Sequence, residues 1–413
     1  MSRPVAEHDP IAKYLLLAAA LFLTLGGLLM IYSASSVGDV QRFADATYHL
    51  KRQALNAGIG LILMAIVARI DYRKLRPAVI PTLVVTLLLL VWVDFAGHSA
   101  LGAQRWLMIG PIPVQPSEIA KFAVIAAVAS LLAATPPHRR TLGGILIPLA
   151  LIVMPAAILI IKQPDMGTTM AMLISVLFLL WIGDLSASSW IAVLAALVTA
   201  AVIAVWLAPY RMARFLSFLN PWERGSDGAF VGHQAVQSMY AFGSGGWHGV
   251  GLGMSKQKFF YLPAAHTDFV FAIIGEELGL IGAVAVVIGF AILTYAGLRI
   301  ASRSHDRFGR LLAGGVMVAI ASQAVLNMLA VTGMMPITGI PLPFVSYGGT
   351  AMVLNLACLG LVLSVYRYGR IAARRAKPVP VLSEENVIEG PAEWRRHRGS
   401  HLSGLDGGRR AAR

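Results

Sequence analysis

Apolar and polar positions divide the chain into long runs of Leu, Val, Ala and Ile separated by short polar segments. A bilayer-spanning helix needs about 20 largely apolar residues, and about ten runs qualify, centred near residues 23, 60, 86, 126, 152, 175, 198, 283, 321 and 357. The pattern predicts an all-α, polytopic membrane protein with one long loop, about 209–266, between its seventh and eighth helices. The first run is too long, and too soon followed by others, for a cleaved leader, so it is expected to be a retained helix. Three stretches follow: an N-terminal segment 1–12, a ten-helix domain 13–370, and a basic tail 371–413 rich in Gly, Pro and Arg. The tail is expected to be disordered and drawn to anionic lipid.

Composition agrees with this pattern. Charged residues make up 13% and hydrophobic residues 57%, against about 25% charged in soluble domains, and the mean hydropathy is +0.71. The net charge of +14 invites a nucleic-acid reading, but its placement argues against one. Arg69, Arg73, Lys74 and Arg76 share one short loop, Arg139 and Arg140 a second, and Arg299, Arg303, Arg307 and Arg310 a third. These loops alternate along the chain, which by the positive-inside rule puts both termini in the cytoplasm and the 209–266 loop outside. The single cysteine, Cys358, lies in the last apolar run, so no disulfide forms within the chain and no thiolate metal site is suggested.

The outward segments hold the candidate chemistry. In residues 101–122, Gln115-Pro116-Ser117 reads as a helix start that sets Glu118 and Lys121 at i, i+3, either an internal ion pair that lets two charges enter the apolar layer or a pair that also orients a polar cavity. Asp165, in the tight turn Gln163-Pro164-Asp165-Met166-Gly167-Thr168, is placed to cap the following helix. The long loop carries glycines at 243, 245, 246, 249, 251 and 253, without the spacing of a nucleotide-binding fingerprint. Residues 334–350 hold three prolines in an apolar setting, which predicts irregular backbone beside a watery cavity. The run Tyr261 to Leu280 puts His266, Thr267 and Asp268 where the loop enters an apolar helix, with Glu276 and Glu277 two turns inside it. An uncompensated charge at the bilayer centre costs about 2.5–3.5 kcal/mol, so these groups mark a site, with Asp268 foremost. Glu276 and Glu277 are expected to pair with polar groups of neighbouring helices.

RWLMIGPIPVQPSEIAKF, QPDMGTT, AFGSGGWHGVGLGMSKQKFFYLPAAHTDFVFAIIGEELGLIG and PITGIPLPFVSYGGT resemble the signature segments of the SEDS family of bacterial shape, elongation, division and sporulation proteins. GGWHGVGLGMSKQKFFYLPAAHTDF is closer to the division branch, FtsW, than to the elongation branch, RodA. One departure is Ala264, where FtsW proteins commonly carry Glu.

The resemblance implies a peptidoglycan glycosyltransferase that polymerises lipid II outside the cytoplasmic (inner) membrane, at the division septum. It implies a class B penicillin-binding protein as partner, among other division proteins, and Asp268 as the essential loop aspartate. Lipid II is an α-linked pyrophosphate and the glycan strand is β-linked, so one inverting displacement suffices, with one base and cations for the leaving group. Residues expected to contact substrate around Asp268 are Arg105, Glu118, Lys121, Gln237, Lys258, His266, Thr267 and Ser346. Arg211, Arg214 and Lys256 are further outward cations, and a divalent ion, Mg or Mn, could share their duty. A lipid II flippase is the main alternative, since many spans with irregular backbone also describe carriers, although no internal repeat is visible. A scaffold that only recruits a synthase is a third reading, and it predicts that Asp268 is dispensable.

Overall fold

The computed structural model describes residues 10–375 except 101–102, 111, 137–138 and 225–229. The expected tail from 376 onward and the first nine residues lie outside the described residues. In chain order the elements are α1 (Pro10–Phe43), α2 (Tyr48–Val67), α3 (Tyr72–Leu75), α4 (Val79–Ala96), β1 (His98–Ala100), β2 (Ala103–Ile109), β3 (Ile112–Val114), α5 (Pro116–Ala134), α6 (Leu142–Lys162), α7 (Met166–Ile182) and α8 (Ala187–Trp206). Then come α9 (Pro209–Leu219), α10 (His233–Gly245), α11 (Val270–Glu277), α12 (Gly279–Ser302), α13 (Arg307–Val331) and α14 (Gly349–Arg375).

Each of the ten predicted spans is a helix. Nine are long and apolar enough to cross a membrane, and the tenth, α7, is a shorter apolar helix. The protein is therefore a polytopic helical membrane protein. Burial ranks the helices: 72% of the apolar window of α13 is enclosed against 11% for α8, so α13 stands in the middle of the bundle and α8 at its rim. The inner helix α13 packs on α5, α7 and α12, while α1 packs on α12. Starts follow local chemistry. Pro116 opens α5, where its missing N–H costs nothing. Asp165 caps α7 by accepting from Thr168 N at 3.2 Å, and Asp306 caps α13 by accepting from Gly309 N at 3.0 Å.

Three features differ from the sequence expectation. β1, β2 and β3 form a three-stranded antiparallel meander, which pairs Leu107 with Val114 and Ile109 with Ile112. The long 209–266 stretch is partly helical, holding α9 and α10. The helix entered after Asp268 is not one span but two pieces: α11 ends at Glu277, and α12 begins at Gly279. Gly279 has φ +67, a left-handed conformation that ends a helix, and a Cβ there would meet the backbone of Trp247 and Gly249. Glu276 and Glu277 therefore sit at the end of a short outer helix rather than inside a membrane span.

Candidate functional site

Asp268 lies in the turn just before α11. Thr267 shapes that turn, its N and Oγ1 both donating to Ala264 O at 3.1 Å, and Ala264 takes φ 58. One side chain then fixes the turn from the bundle: Asn327 of α13 donates through Nδ2 to Asp268 O and to Ile340 O, both at 2.8 Å. Gly339 approaches from the 334–346 segment with φ +69, and a Cβ there would sit 3.7 Å from Asp268 Oδ2. The missing side chain leaves the carboxylate an open flank.

Two arginines act on this carboxylate through their charge. Arg105, on β2, donates from Nε to Gln163 O at 2.9 Å and from Nη2 to Pro164 O, which fixes it across the α6–α7 turn. Arg214, on α9, donates to Ile337 O at 3.4 Å. Among the described residues, no hydrogen bond or ion pair is made to the Asp268 carboxylate itself. Burial pushes its pKa up to about 6, and the neighbouring Asp165 adds to the rise, while Arg105 and Arg214 only partly oppose it. Asp165 is itself buried and satisfied, accepting from Ser117 Oγ at 2.8 Å and Gln115 Nε2 at 3.1 Å. Arg214 also lines a cavity of about 280 Å³ with His233, Gly333 and Ile337. Arg211 is engaged elsewhere, donating to Ala204 O at 2.8 Å and Ile161 O at 3.1 Å.

The other residues expected to contact substrate are spread over several places. Glu118 and Lys121 do pair, at 2.7 Å, but both side chains are fully enclosed. Lys121 also donates to Gln323 Oε1, and Gln323 Nε2 donates to Pro341 O at 3.0 Å. Gln323 and Asn327 stand one turn apart on α13 and together fasten the 338–346 segment. The Glu118–Lys121 pair thus supports the irregular segment from within the bundle instead of lining an open cavity.

Lys258 is also corrected. Its Nζ is buried and donates to Gly253 O at 2.6 Å and Glu277 Oε1 at 3.2 Å, so it closes the glycine-rich loop. Ser346 is buried, and its Oγ accepts from Leu342 N at 2.8 Å, which folds its own segment. Gln237 lies on α10.

His266 turns the other way. Its ring lies 4.7 Å from that of His49, and its carbonyl accepts from Tyr347 N at 3.0 Å. Burial first, then the nearby His49 and Arg42, push its pKa down to about 4, so it is neutral at pH 7. Of the expected contact residues, Thr267 shapes the Asp268 turn and Arg105 acts on the carboxylate through its charge. Among the described residues no group of three or more His, Cys, Asp or Glu side chains gathers to hold a metal.

Sequence reasoning missed Asn327, Gln323, Gly339, Asp39 and His49. Asn327 and Gln323 carried a usable signal, since amides repeating at i, i+4 in an apolar helix seek partners there.

Residues 13–371 match the family described as cell cycle protein, of the FtsW, RodA and SpoVE type. Stage V sporulation protein E of Bacillus subtilis (strain 168) is 39% identical over 358 residues, 86% of this chain and 97% of that protein. A protein of Trichlorobacter lovleyi named "Probable peptidoglycan glycosyltransferase FtsW" is 39% identical over 366 residues, 87% of this chain and 93% of its own length. Among solved structures, a chain from a peptidoglycan synthase complex that coordinates polymerization and crosslinking superposes with a TM-score of 0.71 at 29% identity, covering 88% of this chain and 99% of that one. The rod shape determining protein RodA of Thermus thermophilus gives 0.63 at 26%, covering 88% and 97%.

Proposed function

The chain belongs to the FtsW, RodA and SpoVE family and is a peptidoglycan glycosyltransferase of the membrane, and we propose that it polymerises lipid II with Asp268 as general base. The 4-hydroxyl of the acceptor sugar attacks C1 of the donor, and Asp268 takes the hydroxyl proton. The C1–O bond to the pyrophosphate breaks with inversion, and the pyrophosphate departs with the bonding pair. Arg105 and Arg214 neutralise the growing charge, and Arg105 keeps N–H donors beyond the two it spends on backbone carbonyls.

The observation that carries this reading is Asp268 itself, a carboxylate at the mouth of α11 that accepts no hydrogen bond from the described residues and is raised to about 6 by burial, with the charges of Arg105 and Arg214 opposing that rise. A base with a pKa near the working pH combines the correct charge state with useful proton affinity. Two carboxylates are not required, because a pyrophosphate leaves without the proton that an alcohol needs.

Both termini are cytoplasmic in this reading and the site faces outward, supported by the alternating basic loops. A class B penicillin-binding protein supplies crosslinking at the division septum. This partnership is supported by the similarity to a chain of a synthase complex that couples polymerization to crosslinking. The test is incubation of purified protein with lipid II in detergent, alone and with the transpeptidase. Glycan strands on a gel are the expected result, and lipid II left unpolymerised in both cases would favour a flippase.

A further inference from the structure

Of the 20 residues of the second helix, α2, only Gln53, Ala57 and Gly60 are buried. Its first turns present polar groups to the segments that carry the site. Asp39, near the end of α1, is buried and accepts from Ser35 Oγ at 2.9 Å, from His49 N at 3.1 Å, and from His49 Nδ1 in a short contact. With Asp39 ionised, the proton on the His49 ring sits on Nδ1, and the ring is fixed in one orientation. That ring lies 4.7 Å from His266 and stands edge-on to Tyr347 at 4.6 Å. One turn on, Gln53 Nε2 donates to Ser346 O at 3.2 Å, and Gly348 N donates to Gln53 Oε1 at 3.3 Å.

The helix therefore reaches both halves of the site. Through His49 it touches the 264–268 turn, and through Gln53 it holds the 346–348 backbone. The two halves also join directly, since Tyr347 N donates to His266 O at 3.0 Å. Asp268 follows His266 by two residues, and its backbone is also held by Asn327 of α13. We propose that His49, oriented by Asp39, is a positioning residue that sets the 264–268 turn and so aims the Asp268 carboxylate. This rests on the reading of Asp268 as the base. His49 touches no substrate here; it acts through the His266 ring, and Asp39 acts through His49. A misplacement of about 1 Å can cost about 10²-fold in rate, so a loosened turn is expected to lower kcat and leave substrate binding largely intact.

The experiment is a double-variant cycle in lipid II polymerisation by purified full-length protein, using Asp268→Asn, His49→Ala and the two combined. His49→Gln serves as the conservative variant, able to donate an amide N–H to Asp39. We expect His49→Ala to lower kcat by about 10–100-fold with KM changed less than about threefold, and His49→Gln to recover part of the rate. Combined with Asp268→Asn, the His49→Ala change should add almost nothing, because there is no base left to aim. A His49→Ala protein at the parent rate would overturn the proposal. So would a full multiplicative loss in the combined variant, or an effect confined to KM. Should His49→Ala not fold, His49→Gln and Asp39→Asn carry the same comparison, and parent kcat in both would overturn it. Failure of the base reading shows separately, as near-parent activity of Asp268→Asn alone.

Discussion

Two groups of carboxylates stand within ten residues of each other and are treated in opposite ways. Glu276 and Glu277, at the end of α11, are buried and heavily bonded. Glu276 accepts from Lys256 N at 2.9 Å and from Ser255 Oγ, and Glu277 accepts from Ser33 Oγ at 2.7 Å and from Lys258 Nζ at 3.2 Å. Asp268, before the same helix, has its backbone held by Asn327 while its carboxylate is left without a hydrogen bond. Satisfied carboxylates hold the glycine-rich loop onto α1 and α11, whereas the half-buried Asp268 carboxylate is raised to about 6 by burial, against the opposing charges of Arg105 and Arg214. Burial of ionisable groups in this protein therefore serves two ends, and the hydrogen-bond inventory separates them.

The largest stability effect is expected on the satisfied side. Glu277→Ala removes the acceptor of Ser33 Oγ and Ser255 N and strands the buried Lys258 ammonium without its carboxylate. Removing one partner of a buried pair costs about 3–5 kcal/mol, so thermal unfolding in detergent should shift sharply downward. An unchanged midpoint would erase the contrast between the two regions.

Asp268→Asn should move stability the other way. The folded-state pKa lies near 6 against an ordinary 3.8, so the folded protein binds more protons between those values. The contribution of Asp268 to stability is fullest below pH 3.8 and is lost as pH rises through about 6. At pH 7 the ionised Asp268 is a cost, and the Asn variant should be more stable by about 1–3 kcal/mol, an advantage that fades below about pH 4. Thermal scans at pH 4 and pH 7 check both the sign and the fade.

How far the sequence disclosed this division depends on the element. All ten spans were legible because each is a long apolar run, and Asp268 was legible because a charge at the hydrocarbon edge has to be explained. The three-stranded meander was not, because its outer strands are three residues long and too short for an alternation to register. The break between α11 and α12 was hidden, since Gly279 ends a helix only by its left-handed φ, which follows from packing against Trp247 and Gly249. Lys258 and Ser346 were misplaced for a related reason: composition shows a polar residue in a loop but not whether a neighbouring carboxylate or amide has already claimed it. The link from His49 to the site depends on α2 lying beside the 264–268 turn, which no local pattern encodes.

A smaller effect sharpens the comparison through pH. If Asp268 must be ionised to act, kcat/KM should fall as pH drops through about 6. Arg105 holds that pKa down, so Arg105→Gln should move the acid limb to higher pH, by well under the full burial shift. A limb that stays in place in the Arg105 variant would show that the two groups do not act on each other.

The central claim is that the unbonded carboxylate is the base, and it is tested most directly by the rate of lipid II polymerisation by purified Asp268→Asn protein, shown to be folded by its thermal midpoint. A positioned base contributes about 10²–10⁴-fold, so a loss in that range is predicted, alongside unchanged or raised stability. Strand synthesis by the folded Asn variant at near the parent rate would contradict the account.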